Sequence, residues 1–274
     1  MRIRVGYELT FDCPQPTPMV LMLTIHHTRA ADLIVPDRMV SRPAVGLTDY
    51  RDGFGNWCTR LVAPAGQVQL WSRALVSDTG LPDRATHAQY QLPVQDLPEE
   101  ALVFLMGSRY CETDRLADTA WQLFGNGPTG VARIQAICDY VHRHIRFNYQ
   151  DARSTRTAWE ALQEAKGVCR DYAHLAITFC RCLNIPARYC TGYLGDIGVP
   201  ASADPMDFAA WFEAYIDGDW HVFDARNNQP RTGRVLIARG RDAADVPLSN
   251  IFGPATLAGF RVWTDEVPDS VCAV

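Results

Sequence analysis

Gly167-Val168-Cys169-Arg170-Asp171-Tyr172 is the stretch whose reading decides this chain. Periodicity predicts a helix over Cys169–Leu183, apolar at Tyr172, Leu175, Ala176, Phe179, Cys180 and Leu183. Asn184-Ile185-Pro186 stops it by proline chemistry. Cys169 therefore sits on a helix N-terminus, where unsatisfied N–H groups and the positive dipole end favour a thiolate. Such placement can lower a cysteine pKa from about 8.5 into the range of roughly 3.5–7.5. Arg170 is adjacent, and Gly167 lets the backbone turn tightly and leaves room for a substrate. The competing reading is a buried, inert cysteine at a helix start, and position alone does not separate the two. Cys111 comes nearest to the same placement, but its neighbours Glu112 and Asp114 disfavour a thiolate.

Working outward, strands are expected at Ala187–Leu194, Asp207–Ile216 and Trp220–Ala225. The last two are joined by the hairpin signal Asp217-Gly218-Asp219. Helices are expected at Asp114–Phe124, Val131–Ile145 and Ala158–Ala165. The second carries a stripe of Ile134, Ile137, Cys138, Val141 and Ile145. The first hundred residues read as β. Ile3, Val5, Tyr7 and Leu9 alternate with polar or small residues, and Val20–His26, Trp57–Val62 and Val68–Val76 are β-prone. Leu92–Glu100 is acidic and contains proline, as a linker would. The expected fold is α+β: a β-sandwich-like N-terminal domain over residues 1–100, a linker over 101–112, and a core over 113–274.

With 274 residues, 47% of them hydrophobic and 21% charged, the chain can bury a core without disulfides or metals. A net charge of −5 gives no bulk field for nucleic acid. Lys166 is the only lysine. The nine cysteines are odd in number and scattered, which fits a reducing cytoplasm rather than a disulfide scaffold. Cys180-Arg181-Cys182 is not a zinc spacing, so no metal and no organic cofactor is indicated. Met1 runs into a strand pattern rather than a secretory apolar region. Met19–Leu23 and Ala101–Met106 are too short to span a bilayer, so no membrane partner is expected.

The stretch Gly167-Val168-Cys169-Arg170-Asp171-Tyr172-Ala173-His174 resembles the nucleophile motif of the bacterial transglutaminase-like family. That family shares its core with papain-like cysteine enzymes. Ile185-Pro186-Ala187-Arg188-Tyr189-Cys190-Thr191-Gly192-Tyr193 resembles the strand after the nucleophile helix. Asp207–Tyr215 and Trp220–Asp224 resemble the hairpin that carries the rest of the triad. The resemblance covers residues 110–230 closely and the first hundred loosely. It implies a nucleophile helix packed on an antiparallel sheet, Cys169 as nucleophile, and Asp224 as the group that orients a histidine. Acyl transfer or hydrolysis of amides through a Cys169 thioester is the implied chemistry, with a peptide or protein substrate.

The family's histidine should precede the Ala-Trp of the first hairpin strand, and Ala209 stands there. If Asp217-Gly218 is a two-residue turn, Ala209 lies opposite Arg226, with Asp224 diagonal to it at about 7–8 Å. His221 then points to the opposite face. His174 lies roughly 140° around the helix from Cys169 and is read as packing or capping. His142 and His144 close their helix, a dipole or capping position. His26, His27 and His87 belong to the N-terminal region. Acid–base catalysis by a positioned side chain is worth typically 10²–10⁴-fold, and an aspartate near its normal pKa of about 3.9 cannot replace it. Three accounts stay open: a family member without the chemistry, an engineered inactive variant, or proton transfer by another group.

Trp211, Tyr215 and Arg226 are expected to bind substrate on the same face as Glu213, Trp220 and Val222, although hairpin packing competes for the aromatics. Asn227 and Asn228 read as the turn that leaves the strand. Arg226, Arg231, Arg234, Arg239 and Arg241 read first as a solvated basic face, and second as a site for carboxylates. Two functions follow: a transglutaminase-like cysteine enzyme leaning to hydrolysis, or a catalytically impaired domain that binds a peptide or protein.

Overall fold

The computed structural model describes residues 1–84, 90–202 and 205–268. The chain begins with β1 (Arg2–Cys13), β2 (Thr17–Leu21), β3 (Leu33–Val35), β4 (Val40–Arg42), β5 (Thr48–Arg51), β6 (Trp57–Ala63) and β7 (Gly66–Ser77). It continues through α1 (Glu99–Leu102), α2 (Thr113–Phe124), α3 (Val131–His144), β8 (Arg146–Phe147), α4 (Ala158–Glu164) and β9 (Lys166–Gly167) to α5 (Cys169–Cys182). Then come β10 (Ala187–Tyr193), β11 (Ala209–Ile216), β12 (Asp219–Phe223), β13 (Val235–Gly240), β14 (Ser249–Ile251) and β15 (Thr256–Val267). Among the described residues, no helix is long and apolar enough to cross a membrane.

The α+β class is as expected. In β1, Ile3, Val5, Tyr7, Leu9, Phe11 and Cys13 are all buried, the period-two pattern of a strand with one face in the core. Two antiparallel sheets form the N-terminal half, in the orders β15-β1-β7-β3, with β4 also on β7, and β14-β2-β6-β5. The expected core boundaries of 113–274 need correction. β14 pairs with β2 and β15 pairs with β1, so the end of the chain completes the N-terminal sheets. The reason is physical: β1 is paired with β7 on one side, and its other edge needs a partner.

The third main sheet has the order β12-β11-β10-β13, and α5 packs on it. Helices α2, α3 and α4 pack around α5 in turn, so residues 171–181 are buried without a break. A helix enclosed on all sides must satisfy its polar groups internally. Thr178 Oγ1 donates to the His174 carbonyl at 2.7 Å. The Arg181 guanidinium donates to the carbonyls of Ala187, Met106 and Arg241. The hairpin follows its turn chemistry: Asp217 and Gly218 take φ of 55° and 83°, and the ladder runs from Ile216↔Asp219 to Phe212↔Phe223.

The N-terminal half is tied to this sheet at its β13 edge. The fully buried Asn56 donates from Nδ2 to the Arg239 carbonyl at 2.8 Å and accepts the Arg239 N–H on Oδ1 at 2.9 Å. One side chain thus serves as the missing strand partner for that residue. Asn56→Ala leaves a buried N–H and a buried C=O unpaired. We expect it to destabilise the protein by about 2–4 kcal/mol in urea unfolding. A loss below about 0.5 kcal/mol would show that water replaces the side chain.

Candidate active site

The route into α5 is fixed by short local pairings. Gly167 on β9 lies opposite Phe147 on β8 in a two-residue parallel ladder, and α5 begins two residues later. Asp171, 1% exposed, caps the helix by accepting the Val168 N–H on Oδ2 at 2.9 Å. The same oxygen receives Arg156 Nη1 at 3.0 Å. Gly167 does not leave room for a substrate, as its position had implied. A Cβ there would come within 2.5 Å of Asp171 Oδ2, so the space is filled by the capping carboxylate.

Cys169 is half-buried and lines a narrow cleft of about 70 Å³. Ala209, Arg226, Asn227, Arg231 and Asp207 share the cleft with it. The thiol does not follow the helix-start expectation. Burial, and then the Asp207 carboxylate, push its pKa up to about 11, against the pull of the Ala210 N–H and Arg226. At pH 7 roughly one thiol in 10⁴ would be ionised. The cation beside the sulfur is Arg226, not the adjacent Arg170. Arg170 turns away to donate to the carbonyls of Ser154 and Arg153.

The hairpin ladder ends at Phe212↔Phe223, and the chain then turns, with the Asn228 N–H on the Asp224 carbonyl; Ala209 and Arg226 both line the cleft without being paired in the sheet. Among the described residues no histidine lines the cleft. His174 is fully buried between Tyr110 and Tyr189, its Nε2 accepting the Ala243 N–H at 3.1 Å. Burial, then Arg170 and Arg181, hold its pKa well below the usual range, so it packs as a neutral ring. His142 Nδ1 lies 3.1 and 2.9 Å from the carbonyls of Ala225 and Arg226 and steadies the segment that carries Arg226. His144 contacts the Leu162 carbonyl, and His221 faces Ala214 across the hairpin. His26 is buried and His27 stacks on it in the N-terminal half; His87 lies outside the described residues.

Asp224 is buried beside a neighbouring cavity and does not line the Cys169 cleft. Burial opposes its charge, but Arg234 and Asn227 outweigh that and hold the carboxyl below its ordinary value. Oδ1 accepts the Asn227 N–H at 2.9 Å; Oδ2 accepts Asn227 Nδ2 and Arg234 Nη2, both at 2.7 Å. Asn227 Oδ1 in turn accepts from Arg226 at 2.9 Å and Arg231 at 2.8 Å. The aspartate therefore orients, through an asparagine, two guanidiniums in the cleft. Asn228 has the expected turn role, with φ 50° and its N–H on the Asp224 carbonyl.

Two expectations fail here. Trp211 and Tyr215 do not line the cleft with Arg226. Strand alternation places Trp211 on the face with Cys190, away from Tyr189 and α5, beneath the Arg234 guanidinium. Tyr215 packs on Trp220 and donates to the Gly218 carbonyl at the hairpin tip. Nor is the arginine run a solvated face. Arg231 and Arg234 are buried, and Arg241 grips Asp245 with two nitrogens. Asp207 and Asn227 were not singled out as cleft residues from sequence. Asp207 stands just before its strand and Asn227 just after its own, and no periodicity marks such positions.

Residues 117–225 match the sequence profile of the transglutaminase-like superfamily. A crystal structure of a protein from Cytophaga hutchinsonii, provisionally named a cysteine protease, aligns with a TM-score of 0.86 at 30% identity. The alignment covers 99% of this chain and 92% of that one. An uncharacterised protein of Mycobacterium leprae (strain TN) is 36% identical over 98 residues, 34% of either chain. Another, from Mycobacterium bovis, is 31% identical over 126 residues, 42% of this chain and 40% of its own. The match thus spans well under half the length of these mycobacterial relatives.

Alkylation of Cys169 should report its surroundings. We expect the iodoacetamide rate to climb about tenfold per pH unit from 7 to 10 without a plateau. Asp207→Asn, which removes a negative charge, should speed labelling at pH 8, and Arg226→Gln should slow it. A plateau below pH 8 would contradict this electrostatic picture.

Proposed function

Because this chain belongs to the transglutaminase-like superfamily, we propose that its Cys169 cleft binds an extended peptide segment without turning it over by cysteine–histidine acyl transfer. The observation that carries this reading is Ala209 in the cleft beside Cys169, where the family resemblance calls for an imidazole. A thiol with its pKa near 11 and no adjacent base is a poor nucleophile at neutral pH. The cleft itself remains. Its volume of about 70 Å³ is far below the roughly 300–1,000 Å³ of small-molecule sites, which suits one side chain of an extended segment. Arg226 and Arg231 favour a segment with a carboxylate near that side chain. Arg226 is the ligand contact in this proposal, Cys169 lines the floor, and Asp224 acts through Asn227.

The competing reading is a thiol amidase or peptidase of the same superfamily. One observation favours it: the Ala210 N–H and Arg226 both act on the sulfur in the direction that stabilises thiolate. A single set of measurements decides. Wild type, Cys169→Ser and Ala209→His are assayed for hydrolysis of a mixed peptide p-nitroanilide pool and for binding to a displayed peptide library. The binding reading expects no Cys169-dependent turnover by wild type, and a selected peptide that Cys169→Ser still binds within about threefold. Ala209→His should lower the pH at which Cys169 is alkylated. Turnover by wild type that Cys169→Ser abolishes would overturn the proposal in favour of the enzyme. Failure to select any peptide would remove its substrate class.

A further inference from the structure

A second cavity, of about 390 Å³, lies on the side of β11 that carries Trp211 and Glu213, between that sheet and the N-terminal half. Its size is within the small-molecule range that the Cys169 cleft falls below. Arg29, Arg231, Arg234 and Arg239 line it, together with Asp78, Asp83 and Glu213. The three carboxylates already have partners: Asp78 takes Arg29 at 3.1 Å, Asp83 takes Arg234 at 2.8 Å, and Glu213 takes Arg188 at 2.5 Å. Arg231 spends its guanidinium on Asn227 and the Gly195 carbonyl, with the Asp196 carboxylate 3.6 Å away.

Arg239 is different. Its backbone is held by Asn56, but among the described residues its half-buried guanidinium has no hydrogen bond and no ion pair. Burial, then the nearby Arg188, pull its pKa down, and the Glu213 carboxylate, itself gripped by Arg188, only partly offsets them. Fully buried nitrogens without an acceptor belong to neighbours of Arg239 in the lining, Arg234 Nη1 and Arg231 Nε. Buried donors are paired in the great majority of folded proteins, so these two nitrogens, in the same cavity as the unpaired Arg239, call for an acceptor from outside the chain.

We infer that this cavity is a binding site for a small monocarboxylate, with Arg239 as the group that grips it. Arg29, Arg231 and Arg234 each have a carboxylate partner within the chain and Glu213 has Arg188, so Arg239 is the lining guanidinium left for one carboxylate of a ligand. The planar fork of arginine fits a carboxylate with two parallel N–H···O bonds. Trp211, Leu81, Val222 and Leu236 provide apolar wall for a short hydrocarbon tail, and Thr28 and Thr79 are the hydroxyls of the lining. Arg231 lines both this cavity and the Cys169 cleft, so the two sites share a wall but not their determining residues.

The test uses the full chain with butyrate, benzoate, succinate and inorganic phosphate as probes in calorimetry and thermal denaturation. Butyrate or benzoate should bind saturably and raise Tm, with succinate and phosphate weaker. Arg239→Gln should cut that affinity at least tenfold. It should leave the unliganded Tm unchanged or raised, because it removes an uncompensated cation. Protein carbamidomethylated at Cys169 should bind the carboxylates as wild type does, which separates this site from the cleft. No saturable binding, an Arg239→Gln protein that binds equally well, or phosphate binding more tightly than butyrate would overturn the inference.

Discussion

The Asp171 carboxylate is the constraint on which the site depends. It is a buried charge, which is tolerable only when paired and hydrogen-bonded. Here the pairing is threefold: a cap on the Val168 N–H, Arg156 on the same oxygen, and Arg170 at 3.3 Å on the other. Each partner comes from a different piece of chain, so satisfying one carboxylate fixes the entry strand, the loop before α4 and the first turn of α5 together. Gly167 is required because the carboxylate lies against it. Cys169 stands between the two and is placed by their geometry.

That geometry delivers a cysteine to a cleft without delivering reactivity. A helix N-terminus favours a thiolate, yet burial and the Asp207 charge outweigh it in this chain. The carboxylate at the position expected to steer an imidazole is instead locked by Arg234 and Asn227. The chain of contacts from Asp224 through Asn227 ends on arginines, which carry charge but do not shuttle protons near neutral pH. A cleft with fixed guanidiniums and, among the described residues, no imidazole is the physical outcome. The same region continues, through Arg231, into the larger cavity behind β11, so one run of arginines lines two recesses.

Much of this was legible in the sequence, for identifiable reasons. The four long helical segments begin and end within a residue or two of their periodic limits, because each has a buried stripe and a clear stop. Proline after α5 and the Thr157–Glu160 capping box before α4 are examples. The hairpin register followed from Asp217-Gly218 alone. The strands β13 to β15 were not legible. In β15 only Val262 and Thr264 are buried, so no alternation appears, and its place is set by the bare edge of β1 far away in sequence. The cleft was legible where a motif marked it, at Cys169 and Ala209, and opaque where loops supply the groups. Arginine burial is hidden in the sequence because a run of charges looks solvated until its carboxylate partners, one of them Asp83 over a hundred residues distant, are in place.

The pairing of β1 with β15 also bears on how the molecule is made. Gly6 lies beside Trp263, so β1 waits for a partner residue made 257 positions later. At about 5–20 residues per second that wait is roughly 10–50 s. During it, β1 and β7 can join, but the outer edge of β1 presents free N–H and C=O groups to any passing strand. Synthesis thus passes through a stage in which β1 is made and β15 is not, with the outer edge of β1 open. During that stage the chain depends on its surroundings to keep the edge of β1 unoccupied.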